Sequence, residues 1–249
     1  MPRTRNLYNP NCEKPYRLSR SRIENFMRCP RCFYIDRKLG IDVPSGPPFT
    51  LNIAVDTLLK KEFDVHRENG TPHPYMIDAG IDAVPAIHPM LDAWRKNFVG
   101  IRYLHTPTNL EIQGAIDDLW IGPDGKYIVA DYKATAKKSE INLDADWQIS
   151  YKRQMEVYQW LLRQNGLDVS NESWFVYCNG QLDNEAFNEK ISFTIHMLPY
   201  DANDDWVEDA IIAAAETLRS DTLPAGADGC KLCAYRGGVV NIERRTPNS

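Results

Sequence analysis

Three charged side chains stand in an arrangement that suits a divalent-cation site. Asp117 ends the segment GAID, and Asp131 and Lys133 lie two positions apart in the segment IVADYK. In a β-strand, side chains at positions i and i+2 point to the same face, so Asp131 and Lys133 should share one. Carboxylate oxygens are the ligands that Mg²⁺ and Mn²⁺ prefer, and a nearby lysine can stabilise charge on a phosphate. The spacing therefore indicates metal-dependent phosphodiester hydrolysis.

A predicted hairpin would bring Asp117 to the other two residues. Residues 122–125 (GPDG) have the composition of a tight turn and separate predicted strands at residues 109–121 and 126–133. An apolar run leads directly into Asp131, which places this acid at the edge of a buried strand, where an unneeded charge is costly. A surface salt bridge is the simpler interpretation of the same residues, and the apolar context argues against it.

Further polar groups are expected near these three. The backbone carbonyl of Tyr132 lies between Asp131 and Lys133 and is a third candidate metal ligand. A helix is predicted at about residues 146–165, and it carries Gln154 and Tyr158 four positions apart, on one face. Their polar ends could contact a phosphate or the lysine. The alternative is a structural role, with Tyr158 in the core.

Four motifs occur in an order that resembles the RecB-like branch of the PD-(D/E)XK nuclease superfamily, which includes the CRISPR adaptation nucleases. The segments GAID, DYK and QMEVY match its patterns G-x-x-D, D-x-K and Q-x-x-x-Y, and residues 19–34 resemble its N-terminal signature. The resemblance implies a restriction-endonuclease-like α/β fold, with a central mixed sheet flanked by helices. It also implies metal-dependent DNA hydrolysis with Asp117 and Asp131 as metal ligands. The catalytic residues that it implies are Asp117, Asp131, Lys133, Gln154 and Tyr158.

One position departs from the pattern of this branch. The branch usually has a histidine ligand on the helix before the hairpin, and the corresponding stretch here ends in Asp56. Because a carboxylate can replace imidazole on a hard cation, Asp56 is a candidate metal ligand, with Glu62 and Glu111 as fallback ligands. Asp56 could instead be a helix-surface acid beside a one-metal site. The departure favours a second function: a non-catalytic nucleic-acid-binding or complex-assembly subunit that retains the nuclease fold.

Four of the six cysteines form two C-x-x-C pairs, Cys29 with Cys32 and Cys230 with Cys233. Two such pairs can complete a tetrahedral sulfur site, here a structural metal staple that joins the N- and C-terminal segments. Spacing alone favours Zn²⁺. The resemblance implies a [4Fe–4S] cluster, which we expect, although the branch usually divides its cysteines one and three rather than two and two. Disulfides and two unrelated pairs of free thiols are the other interpretations.

Charge is distributed unevenly along the chain. The first 40 residues carry ten basic side chains against three acidic ones, a net charge of +7. Because the whole chain has a net charge of −5, the other residues together carry −12. This asymmetry predicts a basic surface that binds a polyanion, with DNA as the expected partner, and a solvated basic helix is the alternative. Basic residues around the proposed site could hold the phosphate backbone: Lys133, Lys137, Lys138, Lys152 and Arg153.

The composition of the chain indicates a packed protein outside the membrane. An apolar fraction of 43% is ample for a packed core, and no apolar run approaches the roughly 20 residues that cross a membrane. The N-terminus lacks the apolar core of a secretory signal, so we expect a cytoplasmic protein with no membrane partner.

The expected organisation is a basic arm at 1–18, a nuclease domain at 19–235 and a tail at 236–249. The expected substrate is single-stranded or end-containing DNA, with protein partners in DNA repair, recombination or CRISPR adaptation.

Overall fold

The computed structural model describes residues 2–43, 46 and 50–245. Residue 1 of the expected arm and residues 246–249 of the expected tail lie outside this range. The chain divides into two compact units, one containing residues 1–46, 104–112 and 205–249 and the other residues 47–103 and 113–204. In the described part of the chain, no helix combines the length and the apolar character needed to cross a membrane.

The described residues form eight α-helices and eight β-strands. In chain order they are β1 (Tyr16–Ser19), α1 (Arg20–Arg28), α2 (Pro30–Arg37), α3 (Thr50–Asn69), α4 (Pro74–Asp78), β2 (Val84–Pro85), α5 (Leu91–Trp94), β3 (Ile101–His105), β4 (Leu110–Gly114), β5 (Asp118–Ile121), β6 (Tyr127–Thr135), α6 (Ile149–Gln164), β7 (Val169–Gly180), β8 (Phe193–Asp201), α7 (Asp205–Arg219) and α8 (Lys231–Arg245). A 3₁₀ turn at Asp146–Gln148 leads into α6.

The unit that contains residues 113–204 is built on a five-stranded mixed sheet with the strand order β2-β5-β6-β7-β8. β6 and β7 are parallel, and the other neighbouring strands are antiparallel. Parallel neighbours require a crossover connection, and α6 supplies it. The predicted α/β fold, with a mixed sheet flanked by helices, is confirmed.

Alternation along β6 separates the two faces of this sheet. The ring of Tyr132 packs against Phe63 of α3, with 5.5 Å between the ring centroids. The side chains of Asp131 and Lys133 instead contact Gln154 of α6. Because alternate side chains of a strand point to opposite faces, α3 covers one face of β6 and α6 covers the other. Asp131 and Lys133 therefore share the face that α6 covers.

The single strand expected at residues 109–121 is wrong. This segment forms two strands, β4 and β5, and β4 belongs to a three-stranded sheet with the order β1-β4-β3. The chain bends after Gly114, where a Cβ atom would lie 2.8 Å from Cε1 of Tyr158 and 2.9 Å from Cδ1 of Leu161. Only glycine allows the backbone to pass α6 this closely. The bend leaves Asp117 directly before the first residue of β5.

The other unit contains α1, α2 and α7. Three of the arginines that make the N-terminal segment basic surround the buried Asp36: Arg3 at 2.9 Å, Arg22 at 2.8 Å and Arg37 at 2.6 Å. Part of the positive charge of this segment is thus compensated within the unit. This arrangement reduces the charge that is left for a polyanion.

Replacing Gly114 with alanine should destabilise the protein by about 1–3 kcal/mol, the usual cost of adding a methyl group to a packed core. The free energy of unfolding in urea measures the effect. Gly237→Ala is the matched control, because nothing lies within 4 Å of its added Cβ atom. The proposed close approach is refuted if Gly114→Ala is as stable as wild type, or if both variants lose the same stability.

Candidate functional site

The hairpin of β5 and β6 brings the carboxyl groups of Asp117 and Asp131 together. Asp118 pairs with Ala130 across the hairpin, so Asp117 and Asp131 are the next cross-strand neighbours. Their side chains lie within hydrogen-bonding reach of each other. The backbone N–H of Tyr132 donates to Oδ2 of Asp117 at 3.0 Å, which ties the bend before β5 to the middle of β6.

Lys133 and Gln154 both contact Asp131. Nζ of Lys133 forms an ion pair with Oδ2 of Asp131, and Nε2 of Gln154 donates to Oδ1 at 2.7 Å. The same Nε2 lies 3.1 Å from the hydroxyl of Tyr158, and Oε1 of Gln154 accepts from Nζ of Lys133 at 3.5 Å. The residues Asp117, Asp131, Lys133, Gln154 and Tyr158 therefore form one connected group, which we call the acid–lysine network.

The surroundings of Lys133 keep its side chain positively charged. Burial lowers the pKa of Lys133, but the charges of Asp131 and Asp117 outweigh burial and raise it. Nζ also lies 4.5 Å from the ring centroid of Tyr151, where the π-electrons favour a cation. Lys133 is therefore suited to stabilising negative charge and unsuited to accepting a proton.

Among the described residues, Lys60 forms the ion pairs that link Asp56 to the network. Nζ of Lys60 lies 2.8 Å from Oδ1 of Asp56 and 3.3 Å from Oδ1 of Asp117, so its ammonium group stands between the two carboxylates. Sequence reasoning missed Lys60. The available signal was its position four residues after Asp56, one helical turn along the predicted helix.

Asp118 is a second residue that sequence reasoning missed. It is fully buried and accepts hydrogen bonds from the hydroxyl of Tyr132 at 2.7 Å and from Arg95 at 2.7 Å, together with an ion pair to Arg67. Arg95 also donates to the carbonyl oxygen of Asp117 at 3.1 Å. This buried ion cluster fixes the backbone on which Asp117 is carried. The signal was its spacing. Asp118 lies two positions before the apolar Trp120, so both side chains point to the same, buried face of β5.

The remaining predicted ligands have other partners. The residue that carries the predicted carbonyl ligand, Tyr132, donates its N–H to Asp117 and its hydroxyl to Asp118. Glu62 lies 3.2 Å from Nε2 of His73, and Glu111 pairs with Arg17 at 2.6 Å. Three of the predicted backbone-binding lysines also have partners: Lys137 with Trp147, Lys152 with Tyr200 and Lys138 with Asp183.

The two carboxyl groups of the site differ in their affinity for a proton. Burial and the neighbouring charge of Asp117 raise the pKa of Asp131 to about 7, against the opposing charge of Lys133. Burial also acts on Asp117, but the charges of Lys60 and Lys133 hold its pKa below the ordinary value. The two adjacent carboxyl groups thus differ in pKa although they share the positive charge of Lys133. This donor set fits a hard divalent cation.

The four cysteines of the two C-x-x-C pairs come together within the unit that contains both pairs. Their sulfur atoms lie within 4.8 Å of one another, with separations of 3.6 Å for Cys29–Cys233, 3.7 Å for Cys32–Cys230 and 3.5 Å for Cys32–Cys233. These distances exceed the roughly 2.05 Å of a disulfide bond, and all the thiols are free. The prediction that the pairs form one site is confirmed.

The environment of Cys29 favours its thiolate, the form that binds metals. Burial raises the pKa of Cys29, but hydrogen bonds from the backbone N–H groups of Ala227 and Cys32 outweigh burial and lower it to about 6. The N–H of Ala227 lies 3.4 Å from the sulfur. Cys178 is buried in β7 and Cys12 is exposed, so neither joins the cluster.

Comparison with known proteins gives a family match. A family model described as the PD-(D/E)XK nuclease superfamily matches residues 50–237, which include Asp56 and the whole acid–lysine network. No curated protein matches the sequence. A solved structure described as "Crystal structure of SSO0001" is 14% identical, covers 87% of this chain and 82% of that chain, and has a TM-score of 0.40.

Without divalent cations, the stability of the protein should fall as the pH rises towards 7. Folded Asp131 keeps its proton up to about pH 7, whereas unfolded Asp131 loses it near its ordinary pKa of 3.8. The folded state thus binds more protons between these values, and the stability that this gives at low pH is lost by about pH 7. At 1.36 kcal/mol per pKa unit, the loss is at most about 4 kcal/mol.

Urea unfolding at pH 5 and pH 8 in EDTA measures the part of this loss that falls above pH 5, about 3 kcal/mol at 1.36 kcal/mol per pKa unit. Asp131→Asn should remove the contribution, so that its stability falls less than that of wild type between the two pH values. Asp183→Asn is the matched control, since the Asp183 side chain is 80% exposed, and it should behave like wild type. Identical pH profiles for Asp131→Asn and wild type would contradict the raised pKa.

Proposed function

The chain belongs to the PD-(D/E)XK nuclease superfamily, and from this premise we propose that it is a metal-dependent nuclease of the RecB-like branch that hydrolyses phosphodiester bonds in DNA. The observation that carries the proposal is the convergence of Asp117, Asp131, Lys133 and Gln154 in one hydrogen-bonded network. The motif order G-x-x-D, D-x-K and Q-x-x-x-Y supports the branch. The same resemblance supports single-stranded or end-containing DNA as the substrate.

Asp117 and Asp131 would hold Mg²⁺ or Mn²⁺, with the carbonyl of Tyr132 and, once Lys60 has moved, Asp56 as further ligands. Such an ion supplies a positive charge that polarises a phosphate and lowers the pKa of water. The carboxylate of Asp131 is held in place from two sides, by Lys133 and by the amide of Gln154. These fixed hydrogen bonds preorganise the oxygen donors.

Lys133 acts as a fixed positive charge. Its raised pKa keeps it protonated, so it stabilises the negative charge that grows on the phosphate oxygens during attack by water. Gln154 is a positioning residue, because its Oε1 accepts from Lys133 while its Nε2 donates to Asp131. The hydroxyl of Tyr158 beside Nε2 fixes the orientation of this amide.

A second candidate function is a non-catalytic nucleic-acid-binding or complex-assembly subunit. The position of Lys60 favours it, because an ammonium group between Asp56 and Asp117 can neutralise these acids in place of a metal ion. Such a protein would bind DNA and leave it uncut with either metal. The intact acid–lysine network favours the nuclease.

We also propose that the four cysteines bind a structural metal group. Sulfur separations of 3.5–3.7 Å are close to the edge of about 3.8 Å that follows from tetrahedral Zn–S bonds of about 2.3 Å. This spacing supports Zn²⁺, whereas the resemblance supports a [4Fe–4S] cluster. Either group would join α2 to the segment that enters α8. With four cysteine ligands it would have no open position for catalysis.

The resemblance also supports the wider setting of this function. We propose a cytoplasmic protein that works with protein partners in DNA repair, recombination or CRISPR adaptation. Its nuclease domain would extend over residues 19–235, between an arm at 1–18 and a tail at 236–249.

The purified protein should cleave DNA with Mn²⁺ or Mg²⁺ and stop when EDTA is added. Lys133→Ala should slow cleavage by about 10²–10³-fold, the usual cost of removing one group that stabilises charge in a transition state. Gel assays of labelled oligonucleotides measure the rate, and circular dichroism checks the fold.

Lys126→Ala is the matched control for Lys133→Ala. The Lys126 side chain is 45% exposed, pairs with Asp124 and is not one of the basic residues expected to hold the DNA backbone, so this variant should cleave like wild type. Wild-type protein that binds DNA and cuts none with either metal would support the non-catalytic subunit. Full activity of Lys133→Ala would refute the role given to the lysine.

Metal analysis of the purified protein should find one metal group per chain, which Cys32→Ser and Cys233→Ser lose. Cys12→Ser should keep it, because Cys12 is exposed and outside the cluster. A brown protein that absorbs at about 400 nm holds iron and sulfur, whereas a colourless protein with one zinc holds the single ion. Metal-free wild-type protein would show that the cysteines are not a metal site.

A further inference from the structure

An apolar groove lies in the unit that carries the acid–lysine network. It has a volume of about 430 Å³ and is formed by the start of α3, the end of β6 and the connection between β7 and β8. Its apolar lining includes Leu51, Val55, Ala134, Phe187, Ile191 and Phe193. The proposed chemistry uses none of these side chains.

The groove is continuous with the cleft around Lys133. Asn52, Val55 and Ala134 line both the groove and this cleft. Ala134 follows Lys133 on β6 and points to the opposite face of the sheet, so the groove and the acid–lysine network meet at the cleft that these shared residues line. A DNA strand that leaves the network along this cleft passes the mouth of the groove.

Two aromatic rings in the groove face solvent. The side chain of Phe187 is 67% exposed and that of Phe193 is 37% exposed. Exposed phenylalanines in a groove beside a phosphate site suit the stacking of nucleobases, which does not depend on sequence. Lys190 and Asn184 also line the groove. They add a positive charge for the phosphate backbone and an amide for the edge of a base.

We propose that this groove binds an unpaired nucleobase adjacent to the phosphate at the acid–lysine network, which makes single-stranded DNA the substrate. The inference rests on the proposed nuclease function and names its substrate class. In a duplex, the faces of the bases are covered by their stacked neighbours, and exposing one costs energy. An apolar groove of this kind therefore discriminates against paired DNA.

Binding can be measured separately from cleavage by fluorescence anisotropy in EDTA. The probes are a labelled single-stranded oligothymidine, the same strand made of abasic residues, and a labelled duplex. Stacking on one aromatic ring is worth about 1–3 kcal/mol per base, so Phe187→Ala should weaken binding of the oligothymidine by about 5- to 150-fold. Phe187→Tyr, which keeps a ring, should retain the affinity of wild type.

Phe98→Ala is the matched control, since Phe98 is 90% exposed and outside the groove, and it should bind the oligothymidine like wild type. The abasic strand should bind wild type and Phe187→Ala equally weakly. The duplex should not distinguish Phe187→Ala from wild type either.

Unchanged affinity of both Phe187→Ala and Phe193→Ala for the oligothymidine would overturn the proposal. An equal loss with the abasic strand would also overturn it, because that loss could not come from a base. If wild type cuts DNA while neither Phe187→Ala nor Phe193→Ala changes the binding of the oligothymidine, the groove proposal is wrong and the nuclease function is supported. If binding depends on Phe187 and the protein cuts no DNA, the groove is supported as a base-binding site and the proposed nuclease function is refuted.

Discussion

The site is organised by the repulsion between two carboxylates that a hairpin holds side by side. Asp117 and Asp131 are cross-strand neighbours, and because Asp131 is fully buried and Asp117 only partly exposed, little water is left to screen their charges. Positive charge must be supplied locally, and the structure supplies it through Lys133 on one side and Lys60 on the other. Burial and the charge of Asp117 nevertheless raise the pKa of Asp131. The proposed divalent cation would add positive charge between the two carboxyl groups, which is why the geometry supports metal-dependent chemistry.

Several features away from the site hold this pair in place. The buried cluster of Asp118, Arg67 and Arg95 anchors the hairpin and the carbonyl of Asp117. The crossover from β6 to β7 places α6 over the face that carries Asp131, so that Gln154 reaches the carboxylate. Gly114 lets the chain bend beside α6. The network therefore depends on one sheet and one helix that are packed together.

Local patterns predicted the parts of the site that depend on neighbouring residues. The shared face of Asp131 and Lys133 follows from the two-residue period of a strand, and the hairpin follows from the GPDG turn. The sequence could not give the position of Lys60, because it depends on the rotation of α3 over the sheet. It also could not identify Arg67 and Arg95 as partners of Asp118, since they are separated from it by long stretches of chain. The break after Gly114 depends on how closely α6 approaches, which is a tertiary property.

The most direct test of a metal site between Asp117 and Asp131 is the location of a bound metal ion. Crystals grown with Mn²⁺ and measured at its absorption edge reveal the ion by anomalous scattering. We expect a peak that contacts one carboxylate oxygen each of Asp117 and Asp131, at about the 2.1 Å typical of small hard cations. A well-ordered crystal with no peak between these two residues, or with manganese bound only elsewhere, would contradict it.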